Sequence, residues 1–202
     1  MFSLLKSGGI LIIPIILCGL AATYIIIERC IYFSSMKKKN RAFLYSLNEA
    51  LARKDYSLCE ELCSQTETPF SKVVFTSLKM RNLDEKHLEE VVEAELESVI
   101  PELEHFLTIL GTIAGISTLL GLFGTVTGNI KAFGVLGEGA SMGNPAVLAG
   151  AIAEALVTTA AGLFVAIPST IFSNYFNRRV NKEIAAMEKE ITKILLKISG
   201  RI

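Results

Sequence analysis

Three long stretches without charged side chains dominate the pattern of hydrophobic and polar positions along this chain. They cover residues 7–27, 106–130 and 139–177, and Glu154 is the single charged residue within them. A bilayer core of roughly 30 Å needs about 20 apolar residues in a helix that rises about 1.5 Å per residue. We therefore expect three transmembrane helices, with boundaries at 1–33, 106–133 and 147–176.

The first stretch has an alternative interpretation as a cleaved signal peptide, because a single basic residue, Lys6, precedes it. Its apolar run exceeds the roughly 7 to 15 residues of a signal-peptide core, and no small-x-small cleavage site with a polar start closes it. A retained membrane anchor is the favoured interpretation.

Lysine and arginine are concentrated in two segments, 34–105 and 177–202. The N-terminal tail contains only Lys6, and the connection between the second and third stretches adds only Lys131. Basic residues favour the cytoplasmic side of a membrane. The distribution predicts a cytoplasmic domain at 34–105 and a cytoplasmic C-terminal helix at 177–202. It places the N-terminus and a loop at 134–146 on the outer side.

The composition of the chain excludes several other classes of protein. It is 51% hydrophobic with a mean hydropathy of +0.48, unlike a soluble domain with a polar surface. Lysine plus arginine and aspartate plus glutamate each total 20, so no net charge would attract a nucleic acid. The spans contain no Ser/His, Cys/His or paired-acid arrangement, and we therefore expect no enzyme.

The four cysteines do not indicate a disulfide framework, because Cys59 and Cys63 lie on the side predicted to face a reducing cytosol. These two residues could share a metal with His87 or His105, but neither histidine belongs to a pair of ligands. We expect neither a metal site nor a cofactor.

Apolar positions recur at helical spacing throughout both polar segments. The first segment predicts a helix break near Lys54-Asp55 and a turn over Thr66 to Phe70. It then predicts a helix capped by Asp84 that continues into the second span with a kink at Pro101. The fold class is therefore an all-α membrane protein with long cytoplasmic helical extensions. The second segment carries an apolar stripe that needs another helix to cover it, formed by Val180, Ile184, Met187, Ile191, Ile194 and Ile198.

Small residues distinguish the second and third spans from the first, which is mostly isoleucine and leucine. Small residues let helix backbones approach closely, and the pairs Gly111/Gly115 and Gly124/Gly128 have GxxxG spacing. We expect spans two and three to pack in the interior, with the first span shielding them. The glycines assigned to this packing are Gly121, Gly124, Gly128 and Gly162.

Polar side chains within the interior spans are the candidates for function. A carboxylate at bilayer depth costs roughly 2.5 to 3.5 kcal/mol on insertion scales, so Glu154 must be protonated, partnered or hydrated. It could belong to an ion pathway, or be a protonated glutamate bonded to a neighbouring helix near the outer interface. Thr125, Thr158 and Thr159 could line that pathway or bond their own helix backbone. Helical spacing groups Thr158 with Glu154, and it places Thr159 on a small-residue stripe with Gly162.

Two membrane motifs, LLGLFGTVTGNIKAF (119–133) and NPAVLAGAIAEALVTTAAGLFVAIPSTIFSNYF (144–176), resemble the TolQ/ExbB/MotA proton-channel family. The three-span ExbB/TolQ branch is the most similar. RKDYSLCEELCSQTETPF (53–70) resembles the cytoplasmic helical hairpin of that branch. The resemblance extends more loosely to the N-terminal anchor and covers most of the chain.

The resemblance implies a bacterial inner-membrane protein that forms a homo-oligomeric ring, typically a pentamer. Such a ring surrounds the membrane helices of two copies of an ExbD/TolR/MotB-type partner, whose aspartate takes up and releases the proton. Thr125 and Thr159 would face that aspartate, and Glu154 is the acid of the motif. Proton flow would drive rotation that delivers work to a TonB- or TolA-like protein.

The chain departs from the family pattern in two places. Ser117-Thr118 replaces an Ala-Pro pair that often precedes the LLGLLGT-type motif, so a helix break expected there would be absent. Thr158 replaces a small residue beside Thr159, which leaves open which hydroxyl faces the pore. A proton-driven motor subunit, a motility-motor stator and a non-conducting scaffold remain the alternatives. The scarcity of membrane acids favours H⁺ over Na⁺, and it requires a partner with a second titrating group.

Overall fold

The computed structural model describes residues 9–137 and 145–198, and for residues 85 and 135–137 it describes the backbone alone. These ranges contain helices and connecting turns but no β-strand, which confirms the predicted all-α class. The helices are α1 (Ile12–Ala52), α2 (Tyr56–Gln65), α3 (Pro69–Lys79), α4 (Glu85–Glu104), α5 (Leu107–Gly137) and α6 (Pro145–Ile198).

The chain divides into two compact units, each of which has its own core. The apolar unit comprises Met1–Ile27 and Phe106–Tyr175, and the polar unit comprises Glu28–His105 and Phe176–Ile202. Three helices are long and apolar enough to cross a membrane, at Ile12–Ala52, Leu107–Gly134 and Pro145–Ile198. By length and composition, the prediction of three membrane-spanning helices is confirmed.

In the apolar unit, α1 turns one face inward and one outward. Its buried face includes Ile15 and Ala22, whereas Leu17 and Tyr24 are more than half exposed. The buried positions of α6 recur at three- and four-residue steps and are small. They are Ala151, Ala155, Thr158, Gly162, Ala166, Ser169 and Ser173.

The core of the polar unit is built from large side chains. Phe43 and Phe70 meet edge to face with ring centroids 5.9 Å apart, and Leu47, Val73 and Leu78 are fully buried. Burial of aromatic and aliphatic surface at such positions is the main source of stability for helices in water.

The helical hairpin of the polar unit begins and ends at capped turns. The predicted break at Lys54-Asp55 is confirmed: Lys54 has a φ of 55°, and the Asp55 carboxylate accepts a hydrogen bond from the Leu58 amide at 3.0 Å. Thr68 and Ser71 form a reciprocal capping box ahead of α3. The predicted turn is therefore present, although α3 already starts at Pro69.

Two predictions about α4 are wrong in detail. Asp84 does precede the helix, but its carboxylate makes no capping bond to the helix backbone and contacts His87 Nδ1 instead. The chain does not continue as one helix kinked at Pro101, which lies inside α4. The helix ends at Glu104, and Phe106 has a φ of 65°, in the left-handed region that a right-handed helix cannot accommodate.

The tail of α6 carries the predicted apolar stripe, and the polar unit covers it. Val180, Met187, Ile191 and Ile194 are all buried, whereas Ile184 is half-buried. At the start of this segment Phe176 stacks on Phe33 of α1, with centroids 5.9 Å apart. At its end the Lys197 ammonium donates to the side-chain oxygen of Asn48 at 2.7 Å.

Candidate functional site

Helices α5 and α6 approach each other so closely that their backbones touch. A Cβ atom added to Gly162 would lie 2.5 Å from the carbonyl oxygen of Ser117 and 2.9 Å from Cα of Gly121. A Cβ on Gly121 would lie 3.3 Å from Cα of Thr159. A side chain at position 162 would therefore force the backbone of α5 to move, whereas one at position 121 would need shifts of only a few tenths of an ångström.

The same contact continues towards the loop between the two helices. A Cβ on Gly124 would lie 2.5 Å from the methyl carbon of Thr158, and a Cβ on Gly128 would collide with that of Ala155. The structure thus places all four glycines assigned to packing, Gly121, Gly124, Gly128 and Gly162, in one helix–helix contact.

The other GxxxG pair lies at the edge of this contact. Gly111 and Gly115 are exposed; a Cβ on Gly111 would lie 3.4 Å from the hydroxyl oxygen of Ser173 in α6, whereas a Cβ on Gly115 would meet nothing within 4 Å. Thr118, which is also exposed, lies on the same face of α5 at helical spacing. Helix α5 therefore has two small-residue faces: one is packed against α6, and the other is largely exposed.

Thr158 lies in the centre of the buried stripe of α6. It is 1% exposed, and its hydroxyl donates to the carbonyl oxygen of Glu154 at 2.8 Å while its methyl group fills the space opposite Gly124. Thr158 groups with Glu154, as expected, and Thr159 lies against Gly121 in the same helix contact. What the spacing did not predict is that Thr158 is the more buried of the two threonines. Spacing could not separate the two threonines, since each lies three or four positions from Ala155 and Gly162.

Thr159 and Thr125 are both half-buried, but they use their hydroxyl groups differently. Thr159 donates across the helix contact to the carbonyl oxygen of Gly121 at 2.8 Å. Thr125 donates to the carbonyl oxygen of Leu122 in its own helix at 2.6 Å. Each hydroxyl oxygen keeps its lone pairs, so both remain able to accept a hydrogen bond.

Glu154 forms an ion pair with Lys131 of α5, with 2.8 Å between the ammonium nitrogen and carboxylate Oε1. The two side chains are 29% and 58% exposed, respectively. Gly9, just before α1, lies against the same carboxylate oxygen and has a φ of 63°. Any side chain on Gly9 would collide with it, so residues from three parts of the chain meet at Glu154.

Sequence reasoning missed this pair because it used Lys131 only to assign the orientation of the chain, although the second helix predicted at 106–133 already included it. The structure places Lys131 inside α5. Antiparallel helices joined by a loop bring together residues at about equal distances from its middle. Lys131 and Glu154 lie 9 and 14 residues from residue 140, the middle of the loop predicted at 134–146, so this rule alone does not pair them. Residues 138–144 of that loop lie outside the described residues.

Helix α5 is continuous through Ser117-Thr118, so the helix break expected from an Ala-Pro pair is absent. Ser117 is completely buried, and its hydroxyl has no hydrogen-bond partner among the residues that the structure describes. A buried unpaired hydroxyl costs about 1 to 3 kcal/mol. The carbonyl oxygen of the same residue is the atom that lies closest to Gly162.

Within residues 9–137 and 145–198, no three His, Cys, Asp or Glu side chains gather as a metal site would require. Cys59 and Cys63 are both buried. Burial raises the pKa of the Cys63 thiol to about 12 and raises the pKa of the Cys59 thiol as well. A thiol held in its protonated form is a poor metal ligand and a poor nucleophile.

The fold and the site define a class of protein: a multi-pass helical membrane protein whose second and third spans pack through glycine and carry hydroxyl groups and an ion pair. The model of the MotA/TolQ/ExbB proton channel family matches residues 65–189. The chain belongs to this family.

Individual relatives agree with this assignment. The chain is 26% identical over 191 residues to an ExbB-like biopolymer transport protein of Synechocystis sp., covering 94% of this chain and 91% of the relative. It is 30% identical to the biopolymer transport protein ExbB of Neisseria meningitidis, covering 81% and 79%. It is 45% identical to the Tol-Pal system protein TolQ of Haemophilus influenzae over 82 residues, which cover 41% and 36%.

Proposed function

We propose that this protein is the ring-forming subunit of a proton-motive-force-driven motor in the bacterial inner membrane. Together with an ExbD/TolR-like single-span partner, it would energise transport or maintenance of the cell envelope. The observation that carries the proposal is the set of polar groups, Thr125, Glu154 and Thr159, on the glycine-packed pair α5 and α6 of a proton channel family member.

The proposed orientation places the N-terminus and the loop 134–146 in the periplasm. Segments 34–105 and 177–202 would then be cytoplasmic, in accord with their lysine and arginine content. In this orientation the ion pair of Lys131 and Glu154 lies at the periplasmic end of the α5/α6 pair.

The exposed small-residue face of α5 supports assembly. Gly111, Gly115 and Thr118 are exposed, although such residues favour close contact with another helix. Large apolar side chains such as Phe164, which is 81% exposed, need lipid or a further helix to cover them. We assign the small-residue face to contacts within a ring, typically a pentamer in this family, and with the helices of the partner.

Thr125 and Thr159 could line the path along which the partner's aspartate takes up and releases protons. The hydroxyls of Thr125 and Thr159 already donate to backbone carbonyls, so their oxygens would accept a hydrogen bond from water or a protonated carboxyl. We assign Thr158 to packing, because it is buried against Gly124. A proton crossing 100 mV supplies about 2.3 kcal/mol, so work on a TonB- or TolA-like protein would use several protons.

A non-conducting membrane scaffold is the second candidate, and one observation favours it. Thr125, Thr158 and Thr159 each satisfy their hydroxyl proton with a backbone carbonyl, and Glu154 has Lys131 as its partner. The polar groups of these four side chains are therefore satisfied without a water-filled pore. A motility-motor stator would differ from the proposed role in its partner.

Proton flux separates the motor from the scaffold. The chain would be purified with the single-span protein encoded beside it and reconstituted into liposomes that contain a pH-sensitive dye. We expect flux that depends on the partner, and a loss of at least tenfold in both Glu154→Ala and the Thr125→Ala/Thr159→Ala double variant. Thr112→Ala is the matched control, because Thr112 is exposed on α5 and bonds only its own helix.

Ring assembly, measured by native mass spectrometry, should be the same in all of these variants. Assembly with the partner but without any flux in the unaltered protein would favour the scaffold. Normal flux in both variants would contradict the assigned roles of Thr125, Glu154 and Thr159.

A further inference from the structure

We infer that Lys131 is a positioning residue of the ion pathway. Its ammonium group holds the carboxylate of Glu154 at one end of the α5/α6 contact, and proton flux requires this pair to be intact. The inference rests on the proposed motor function and adds to it a residue on the helix opposite the acid.

The described part of the apolar unit contains one charge of each sign. Among the residues that the structure describes in this unit, Lys131 is the one basic residue and Glu154 is the one acidic residue. Their charged atoms lie 2.8 Å apart, within the range of a charge-assisted hydrogen bond. If Lys131 is removed, the described part of the unit offers Glu154 no other cation.

The Lys131 side chain reaches across to a second helix, although it could extend into water instead. A lysine near the end of a membrane helix ordinarily extends its stem towards water. Here the side chain is 58% exposed, so water is available, yet its ammonium group contacts the acid of α6. The contact therefore reflects the matched heights of residues 131 and 154 on the two helices.

The surroundings of Glu154 restrict where its carboxylate can lie. Gly9 lies against Oε1 on one side, where its missing side chain leaves room for the carboxylate. The backbone below is held by the bond from Thr158 to the Glu154 carbonyl and by the contact of Gly128 with Ala155. Lys131 supplies the remaining contact, which fixes the acid against α5.

An ion pair this exposed makes a small contribution to the stability of a fold, which a double-mutant cycle can resolve but which is too small to decide assembly. Its removal should therefore change the position of the carboxylate more than the assembly of the protein. A displaced carboxylate is free to leave the end of the α5/α6 contact, and the path then loses a charged group at a defined place.

The test uses the full chain in complex with its single-span partner, reconstituted as above. We expect Lys131→Met to lower proton flux at least tenfold per assembled ring, and Lys131→Arg to recover at least half of the flux. Lys182→Met is the matched control, because Lys182 is an exposed lysine of α6 in the polar unit. It should leave the flux unchanged.

Exchanging the charges of residues 131 and 154 tests whether the acid must lie on α6 or whether any ion pair between the two helices is sufficient. In the double variant Lys131→Glu/Glu154→Lys the pair can form again, but the acid is on α5. We expect flux to stay at least tenfold reduced in this variant. Recovery of full flux would show that only the attraction matters and would overturn the inference.

A measurement that does not use flux checks that the pair exists. A double-mutant cycle of thermal midpoints over Lys131→Met and Glu154→Gln should be non-additive. Additive midpoints, or normal flux in Lys131→Met, would overturn the inference and leave the motor function standing if Glu154→Ala is still inactive. Normal flux in Glu154→Ala would instead contradict the motor proposal itself. If Lys131→Met does not assemble, the arginine and charge-exchange variants decide.

Discussion

The two units of this protein are held together in opposite ways. In the apolar unit α5 and α6 meet where side chains are missing, at Gly121 and Gly162. In the polar unit the helices meet through large side chains such as Phe43 and Phe70. Lipid is as apolar as a leucine side chain, so burial of apolar surface does not drive helices together in a membrane and close backbone contact takes its place. In water, burial of that surface is the main driving force.

Truncating the core of the polar unit should have the largest effect. Phe70 is 2% exposed and contacts Phe43. We expect Phe70→Ala to lower the free energy of unfolding of this unit by about 3 to 5 kcal/mol, through lost burial and the cavity left behind. Thermal unfolding of the purified protein, followed by circular dichroism, measures this change.

Tyr45→Ala is the control for that measurement, since Tyr45 lies in the same unit and is 76% exposed. It should change stability by less than about 0.5 kcal/mol, as surface substitutions usually do. Equal losses in the two variants would mean that the core of the polar unit does not depend on large side chains.

Adding one methyl group to the glycine contact should have the next largest effect. Here a residue is made larger, whereas Phe70→Ala makes one smaller. We expect Gly162→Ala to destabilise the apolar unit by about 1 to 3 kcal/mol, because the new Cβ would press on the backbone of Ser117 and Gly121. Gly115→Ala is the matched control, with open space around the added atom. In the single chain, dissociated from any ring, alanine there should be neutral or stabilising by up to about 1 kcal/mol, because it favours helix more than glycine does.

The resistance of the detergent-solubilised protein to heat reports both substitutions. A loss of stability in Gly115→Ala as large as that in Gly162→Ala would show that the two GxxxG faces of α5 are equivalent. The contrast between a packed and an exposed face would then be wrong.

Alkaline pH should produce the smallest effect, and it acts on the polar unit. Burial raises the pKa of Cys63 from 9.0 to about 12 in the folded protein. The folded state therefore favours the protonated thiol, and the stability it contributes is present below about pH 9 and is lost as the pH rises towards 12. We expect the thermal midpoint of the unaltered protein to fall more between pH 8 and pH 10.5 than that of Cys63→Ala.

An alkylating reagent provides an independent check of the same thiol. At pH 8 the folded protein should leave Cys63 unmodified, whereas the chain in denaturant should react. Rapid modification of the folded protein, together with identical pH dependence in Cys63→Ala, would show that Cys63 is accessible and that burial does not set its pKa.

Three features were predictable because each depends on local composition or on helical period. They are the membrane-spanning helices, the helix break at Lys54-Asp55 and the apolar stripe of α6 that starts at Val180. The end of α4 at His105-Phe106 was not, because nothing in that dipeptide marks a left-handed φ. The prediction of a helix cap at Asp84 was correct in position. The expected hydrogen bond from the helix backbone to its carboxylate is absent, since His87 offers the carboxylate a competing partner.

At the candidate site, the amino-acid sequence was sufficient to identify the acid, the hydroxyls and the packing glycines, since residue type and spacing define them. Only the folded arrangement shows that Thr158 rather than Thr159 fills the centre of the buried stripe, and that Lys131 pairs with Glu154. Both depend on the rotation and relative height of two helices. These are set by close contacts such as that of Gly162 with Ser117, which no period within a single helix contains.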